Sequence, residues 1–176
     1  MPLTAAEGSV SLAVDHLRVM LADSATFRTW VGAANQAAAL ARIYYEALPP
    51  PANRNEYTLA EALALRPFAQ IWSAPHAGFT MRPDAVGARS AESGSLSIQF
   101  EQTVDSLITD DAAEISRRFA NVIGKIMDDL DAVREVAGYL SFTALAFSGV
   151  GRGDMDKRSA QGDFVVATID MEWGQR

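Results

Sequence analysis

Chemistry in this chain has to come from few residues: two histidines, one acidic run and two basic segments. His16 lies in SVSLAVDHLRVML and His76 in SAPHAGF. A zinc site or a hydrolytic triad needs convergent partners, and the sequence contains no H-x-x-x-H, H-E-x-x-H or G-x-S-x-G spacing. His16 therefore reads as an ordinary helical position. His76 sits in a loop where a contact role is conceivable, with Asp84 as a companion in a loop-covered pocket. The segment SGVGRGD carries Gly149, Gly151 and Gly153, but a phosphate cradle requires a glycine-rich turn running from a strand into a helix N-terminus. Here the segment leads into another strand pattern, so it reads as a flexible hairpin tip, and its Arg152 to Asp154 tripeptide resembles an integrin ligand in three letters only. Asp128, Asp129 and Asp131 fall near the end of a helix pattern, where adjacent side chains point about 100° apart and do not converge on a magnesium ion. They read as a solvated acidic face or as a contact for a basic surface on another subunit.

The basic residues of two loops, Arg82 and Arg89 in one and Arg152, Lys157 and Arg158 in the other, stand out in an acidic protein. Either they solubilise the loops, or they meet acidic surfaces of neighbouring copies, since complementary charge fixes register in assemblies. No acid/base pair and no nucleophile emerges, so the expectation is a protein that is not an enzyme, with no catalytic residue, no cofactor and no metal.

Composition narrows the class. A chain of 176 residues with 49% hydrophobic and 21% charged residues suits one globular domain, 1–176. No stretch approaches the roughly 20 apolar residues of a membrane span, and the N-terminus lacks a basic leader, so export is not expected. The absence of cysteine removes disulfides and thiolate sites together. A net charge of −7 argues against specific nucleic-acid binding, which relies on Lys and Arg to neutralise phosphates.

These residues must be positioned by the following elements. Val10, Val14, Leu17 and Leu21 predict a helix over 9–21. Asp23 or Ser24 starts a short helix carrying Phe27, Trp30 and Val31, closed by Gly32. The alanine-rich stretch 33–41 favours helix, and 42–47 reads as a strand. Pro49 to Pro51 break the chain, YTLAEALAL is a helical turn or an irregular excursion, and RPFAQIWSA is a strand. Long loops are expected over about 48–66, 74–94 and 150–162, with a short strand around Phe79 to Arg82 inside the second. Residues 94–104 alternate cleanly, Leu96, Ile98 and Phe100 against Ser97, Gln99 and Glu101. Asp111 and Glu114 make a capping-box-like start to a core helix with the stripe Ile115, Phe119, Val122, Ile123, Ile126, Met127, Leu130 and Val133, ended by Gly138. YLSFTALAFSG and QGDFVVATIDMEWG close the chain as an antiparallel hairpin. In the last strand Val165, Ala167, Ile169, Met171 and Trp173 form one apolar face, while the other runs from Phe164 and Val166 to Asp170 and Glu172. The expected class is α+β, an antiparallel sheet with two main helices packed on one face.

The order LADSATFRTWVGA, ARIYYEALPPP, RPFAQIW, GSLSIQFEQTV, a long helix, GYL and GDFVVATIDMEWG, spread over roughly 12–174, resembles small tailed-phage and prophage proteins of the head-tail joint, above all the tail terminator or tail-completion class. The resemblance implies a structural subunit that forms a ring with itself, a hexamer, capping the tail tube protein and presenting a surface to the head-tail connector protein. It implies assembly in the host bacterial cytoplasm and a place in the virion, at the tail or neck. It departs from the family pattern in the 74–94 loop and around Pro49 to Tyr57. The alternatives are a neck head-completion protein on the portal side and a small-molecule-binding α+β domain. In a ring, Arg82, Arg89, Arg152, Asp154, Lys157, Arg158, Phe164 and Val166 are the subunit-contact candidates, because head-to-tail contacts need two dissimilar patches. A competing reading has Phe164 and Val166 packing within one monomer, under the 74–94 loop.

Overall fold

The computed structural model describes residues 9–52, 57–73, 80–83, 90–104, 112–132, 135–136, 140–153 and 164–175. Among them are five helices and seven strands: α1 (Ser9–Asp23), α2 (Ala25–Trp30), α3 (Gln36–Leu40), β1 (Ile43–Tyr45), α4 (Leu59–Leu65), β2 (Phe68–Ser73), β3 (Thr80–Pro83), β4 (Ser90–Thr103), α5 (Ala112–Ala132), β5 (Glu135–Val136), β6 (Leu140–Gly153) and β7 (Phe164–Gln175). One sheet takes all seven strands in the order β1-β2-β4-β7-β6-β5, with β3 also paired to β4.

The class is α+β, but the expected antiparallel sheet is mixed. β1 and β2 run parallel, while the other pairs are antiparallel. The reason lies in the connection, because parallel neighbours need a crossover and the chain supplies one through α4. That helix falls inside the loop expected over 48–66. It forms because Thr58 and Glu61 make a capping box, Thr58 Oγ1 accepting from the Glu61 N–H while the Glu61 carboxylate accepts from Thr58 N. β1 is shorter than the strand expected over 42–47, since Glu46 turns left-handed at φ 58° and closes the strand by donating its N–H to Ile71 O.

Three further expectations are corrected. The 74–94 loop is shortened, because β3 and the first residues of β4 pair with each other from Ser90 onward. The 150–162 loop begins later, because Val150 to Gly153 stay in the β7 ladder. The long helix ends at Ala132, before Gly138, since Glu135 and Val136 satisfy their backbone by pairing with Ser141 and Leu140. Asp111 lies outside the described residues.

Four helices, not two, cover one face of the sheet. The core joins Val14, Leu17 and Leu21 of α1, Phe27 of α2, Ala39 of α3 and Phe119, Ile123, Ile126 and Leu130 of α5 to Ile71, Leu96, Ile98, Phe100, Phe142, Val165, Ala167, Ile169, Met171 and Trp173 of the sheet. α2 starts as the sequence predicts, with the Ser24 side chain accepting from Phe27 N, and Gly32 follows it at φ 67°, a conformation glycine adopts at little cost. Asp129 does more than sit on a solvated face. Its Oδ2 accepts from Ser24 Oγ at 2.6 Å and from Thr26 N at 3.2 Å, so α5 supplies an anion to the start of α2. The Ser24 hydroxyl, opposed in part by burial and reinforced by the Thr26 N–H, holds the Asp129 carboxyl below its usual pKa. Trp30 ties the helices to the sheet, its indole N–H donating to Gln102 Oε1 at 2.8 Å while its rings meet Phe27, Phe100 and Phe119.

Candidate interaction surface

The second face of the sheet is assembled by register. Phe68, Glu101 and Val166 stand side by side across β2, β4 and β7, as do Gln70, Gln99 and Thr168, then Trp72, Ser97 and Asp170. Its character changes along the strands. At the end where β7 begins, Arg66 holds the surface together: its guanidinium lies 4.2 Å from the centroid of the Phe164 ring, and its Nε donates to Glu101 Oε2 at 3.1 Å. The Arg66 and Glu101 side chains are only 5% and 13% exposed, and Glu101 also accepts from Gln99 Nε2 at 2.8 Å. A cation over a ring face and a carboxylate on the same guanidinium combine two attractions open to Arg. Phe164 and Val166 are thus half-buried, with Arg66 as the cover on Phe164.

At the other end the face is wet and acidic. Ser97 Oγ donates to Asp170 Oδ1 at 2.5 Å, Glu172 is exposed, and Trp72 is 36% exposed. The half-apolar, half-acidic pattern of the last strand is therefore a property of the whole sheet face around it.

The two lateral edges of the sheet differ. On the β1 side, α4 connects β1 to β2 with Leu59 and Leu63 exposed one turn apart, and Tyr45 is exposed on β1 itself. A cleft of about 500 Å³ opens here, lined among others by Tyr44, Pro49, Pro51, Tyr57, Glu61 and Leu65. Arg42 Nη1 donates to the Ala64 and Leu65 carbonyls at the C-terminus of α4, and the Tyr57 hydroxyl donates to Pro49 O. The Thr58 and Ala52 backbone N–H groups and the Thr58 hydroxyl hold the Glu61 carboxyl below its usual pKa, while burial, opposed by Arg42, raises that of Tyr44. On the opposite side, the two-residue β5 pairs only with Leu140 and Ser141, so among the described residues β6 forms the edge from Phe142 onward, and its first charged residue is Arg152.

The sequence-predicted site residues fall as follows. Arg82 is in β3, in register with Ala91, on the short strand expected inside the 74–94 loop, whereas Arg152 is in β6, in register with Val165, and so belongs to a strand and not to the loop expected for it. Arg89, Asp154, Lys157, Arg158, His76 and Asp84 lie outside the described residues. His16 is half-buried on α1 with Nδ1 unpartnered. Arg66 and Glu101 were not singled out by sequence, since an Arg before a Pro and a Glu on a strand's wet face look ordinary until the fold brings them together. Among the described residues no three His, Asp or Glu side chains gather as metal ligands, and no helix is long and apolar enough to cross a membrane. No protein-family model and no curated protein matches the sequence.

Proposed function

We propose that this chain is a non-enzymatic subunit of the tail terminator or tail-completion kind, which closes into a ring with copies of itself at the head-proximal end of a phage tail, between tube and connector. The observation that carries the reading is the unlikeness of the two sides of the sheet: exposed Leu59 and Leu63 on α4 and exposed Tyr45 on β1 at one, and at the other β6, uncharged from Phe142 to Gly151 and paired by β5 only at Leu140 and Ser141. Closure by rotation joins dissimilar patches, whereas a two-fold dimer joins like to like. The acidic end of the second face, around Asp170 and Glu172, suits a surface that DNA passes without binding, because Lys and Arg are what grip phosphates. In this reading Arg82, Arg89, Arg152, Asp154, Lys157, Arg158 and Val166 register one subunit on the next, and Phe164 contributes through the face that Arg66 leaves uncovered.

Light scattering after size exclusion, over a range of concentrations and with negative-stain images, tests the proposal. A closed species of about six times 18.9 kDa is the expected result for a hexamer; a monomer at every concentration, with and without tube ends added, counts against it. The cleft beside α4 favours a second reading, a small-molecule-binding domain. Saturable quenching of tyrosine emission by a small ligand, lost in Tyr57→Ala, is the result that would select it.

A further inference from the structure

The central strand pair, β4 with β7, has a register problem that hydrophobic patterning alone leaves unsolved. A slip by one residue turns every side chain to the wrong face and is excluded. A slip by two is not excluded in that way, because Val165, Ala167, Ile169 and Met171 slide onto Leu96, Ile98 and Phe100 with all apolar side chains still facing the helices. The connection from β6 to β7, residues 154–163, is longer than the two-residue turns that set register in tight hairpins.

We propose that two locks, one at each end of the ladder, set this register and thereby fix where β7 begins. The first is Gly94 opposite Trp173. A Cβ at Gly94 would stand 2.8 Å from Trp173 Nε1 and 3.0 Å from Cε2, so the buried indole fits only against a residue without a side chain. A two-residue slip sets Trp173 opposite Leu96 or Glu92 instead, and the indole then meets a side chain. The second lock is the Arg66 guanidinium, held by Glu101 and lying over Phe164. Slippage replaces Phe164 there by Val166 or Gly162, neither of which offers a π face to the cation. A largely buried ion pair is a poor net stabiliser, and its best-attested use is to specify one registry among several. Ser97 with Asp170 adds a third contact midway. The inference stands whether or not the chain forms a ring.

The chain lacks cysteine, so introduced thiols report register without background. Ser95 and Glu172 are directly opposite, within disulfide reach, whereas the diagonal neighbours Asp170 and Gly174 lie about 7–8 Å away and bridge poorly. In the otherwise native chain S95C/E172C crosslinks on mild oxidation, and S95C/G174C and S95C/D170C give little product. Adding Gly94→Ala and Arg66→Ala together raises the diagonal product at least about tenfold at the expense of the direct one. If far-UV circular dichroism shows that this combination does not fold, Arg66→Lys with Gly94→Ala replaces it, keeping the charge for Glu101 and losing the planar stack. Folded variants whose diagonal pairs stay at the native level overturn the proposal.

Discussion

The two sides of the sheet are held by different physics. On the helix side, β7 contributes five buried apolar residues in strict alternation, each meeting another apolar side chain. On the other side, the same strand contributes Phe164 under a guanidinium, Asp170 on a serine hydroxyl and an exposed Glu172. Volume and water exclusion stabilise the first, tolerant of which apolar residue fills a place but not of losing one. Along β7, directed contacts between named atoms stabilise the second, each small and each specific, while on β2 of that face Phe68 is a fully buried ring packed edge-on against Tyr44.

The largest break in the comparison comes from the helix side. Phe100→Ala removes a fully buried ring that touches Trp30 and is expected to cost about 3–5 kcal/mol, read as a lower urea midpoint at unchanged m-value. Asp129→Asn sharpens the comparison by removing a directed contact from the apolar side: loss of the carboxylate from Ser24 and Thr26 is expected to cost about 2 kcal/mol at neutral pH. Its pH dependence has a definite sign. The folded-state pKa of Asp129 is depressed, so its contribution is fully present above the unfolded-state value near 3.8 and disappears as pH falls through the lower folded-state value. Wild type and Asp129→Asn should therefore converge in stability in that acid range, measured by urea titration at stepped pH. Thr58→Ala, at the start of α4, removes an N-cap and is expected to cost about 1 kcal/mol, with hydrogen exchange rising over Leu59 to Leu65. Glu172→Gln, at the wet end of β7, is expected to leave the melting temperature within about 2 °C; a larger fall would mean that this end is held by more than the comparison allows.

How far the sequence could be read follows the same division. The stripes of α1 and α5 and the alternation of β4 and β7 are legible because one buried face imposes a period on neighbouring residues. Ser24 and Gly32 around α2 are legible because caps are local chemistry. The parallel β1 and β2 pair is not legible, since chain direction within a sheet depends on a crossover whose helix, α4, is short and follows three prolines. Asp129 misleads for a related reason: three acids near a helix end resemble a solvated face, and the Ser24 that binds one of them is remote in sequence. Arg66 with Glu101 and Phe164, and Gly94 with Trp173, are invisible for the same reason. The second face is where the candidate surface lies, so the site is less legible than the scaffold that carries it.

The three tryptophans stand at three depths: Trp173 is 2% exposed in the core, Trp30 is half-buried between helices and sheet, and Trp72 is 36% exposed on the second face. Their emission should separate accordingly. Iodide should quench the long-wavelength component from Trp72 first and the short-wavelength component from Trp173 last, so the unlabelled protein carries its own optical markers. Shielding of Trp72 would signal that the second face has been covered, and a red shift of Trp30 that helices and sheet have parted.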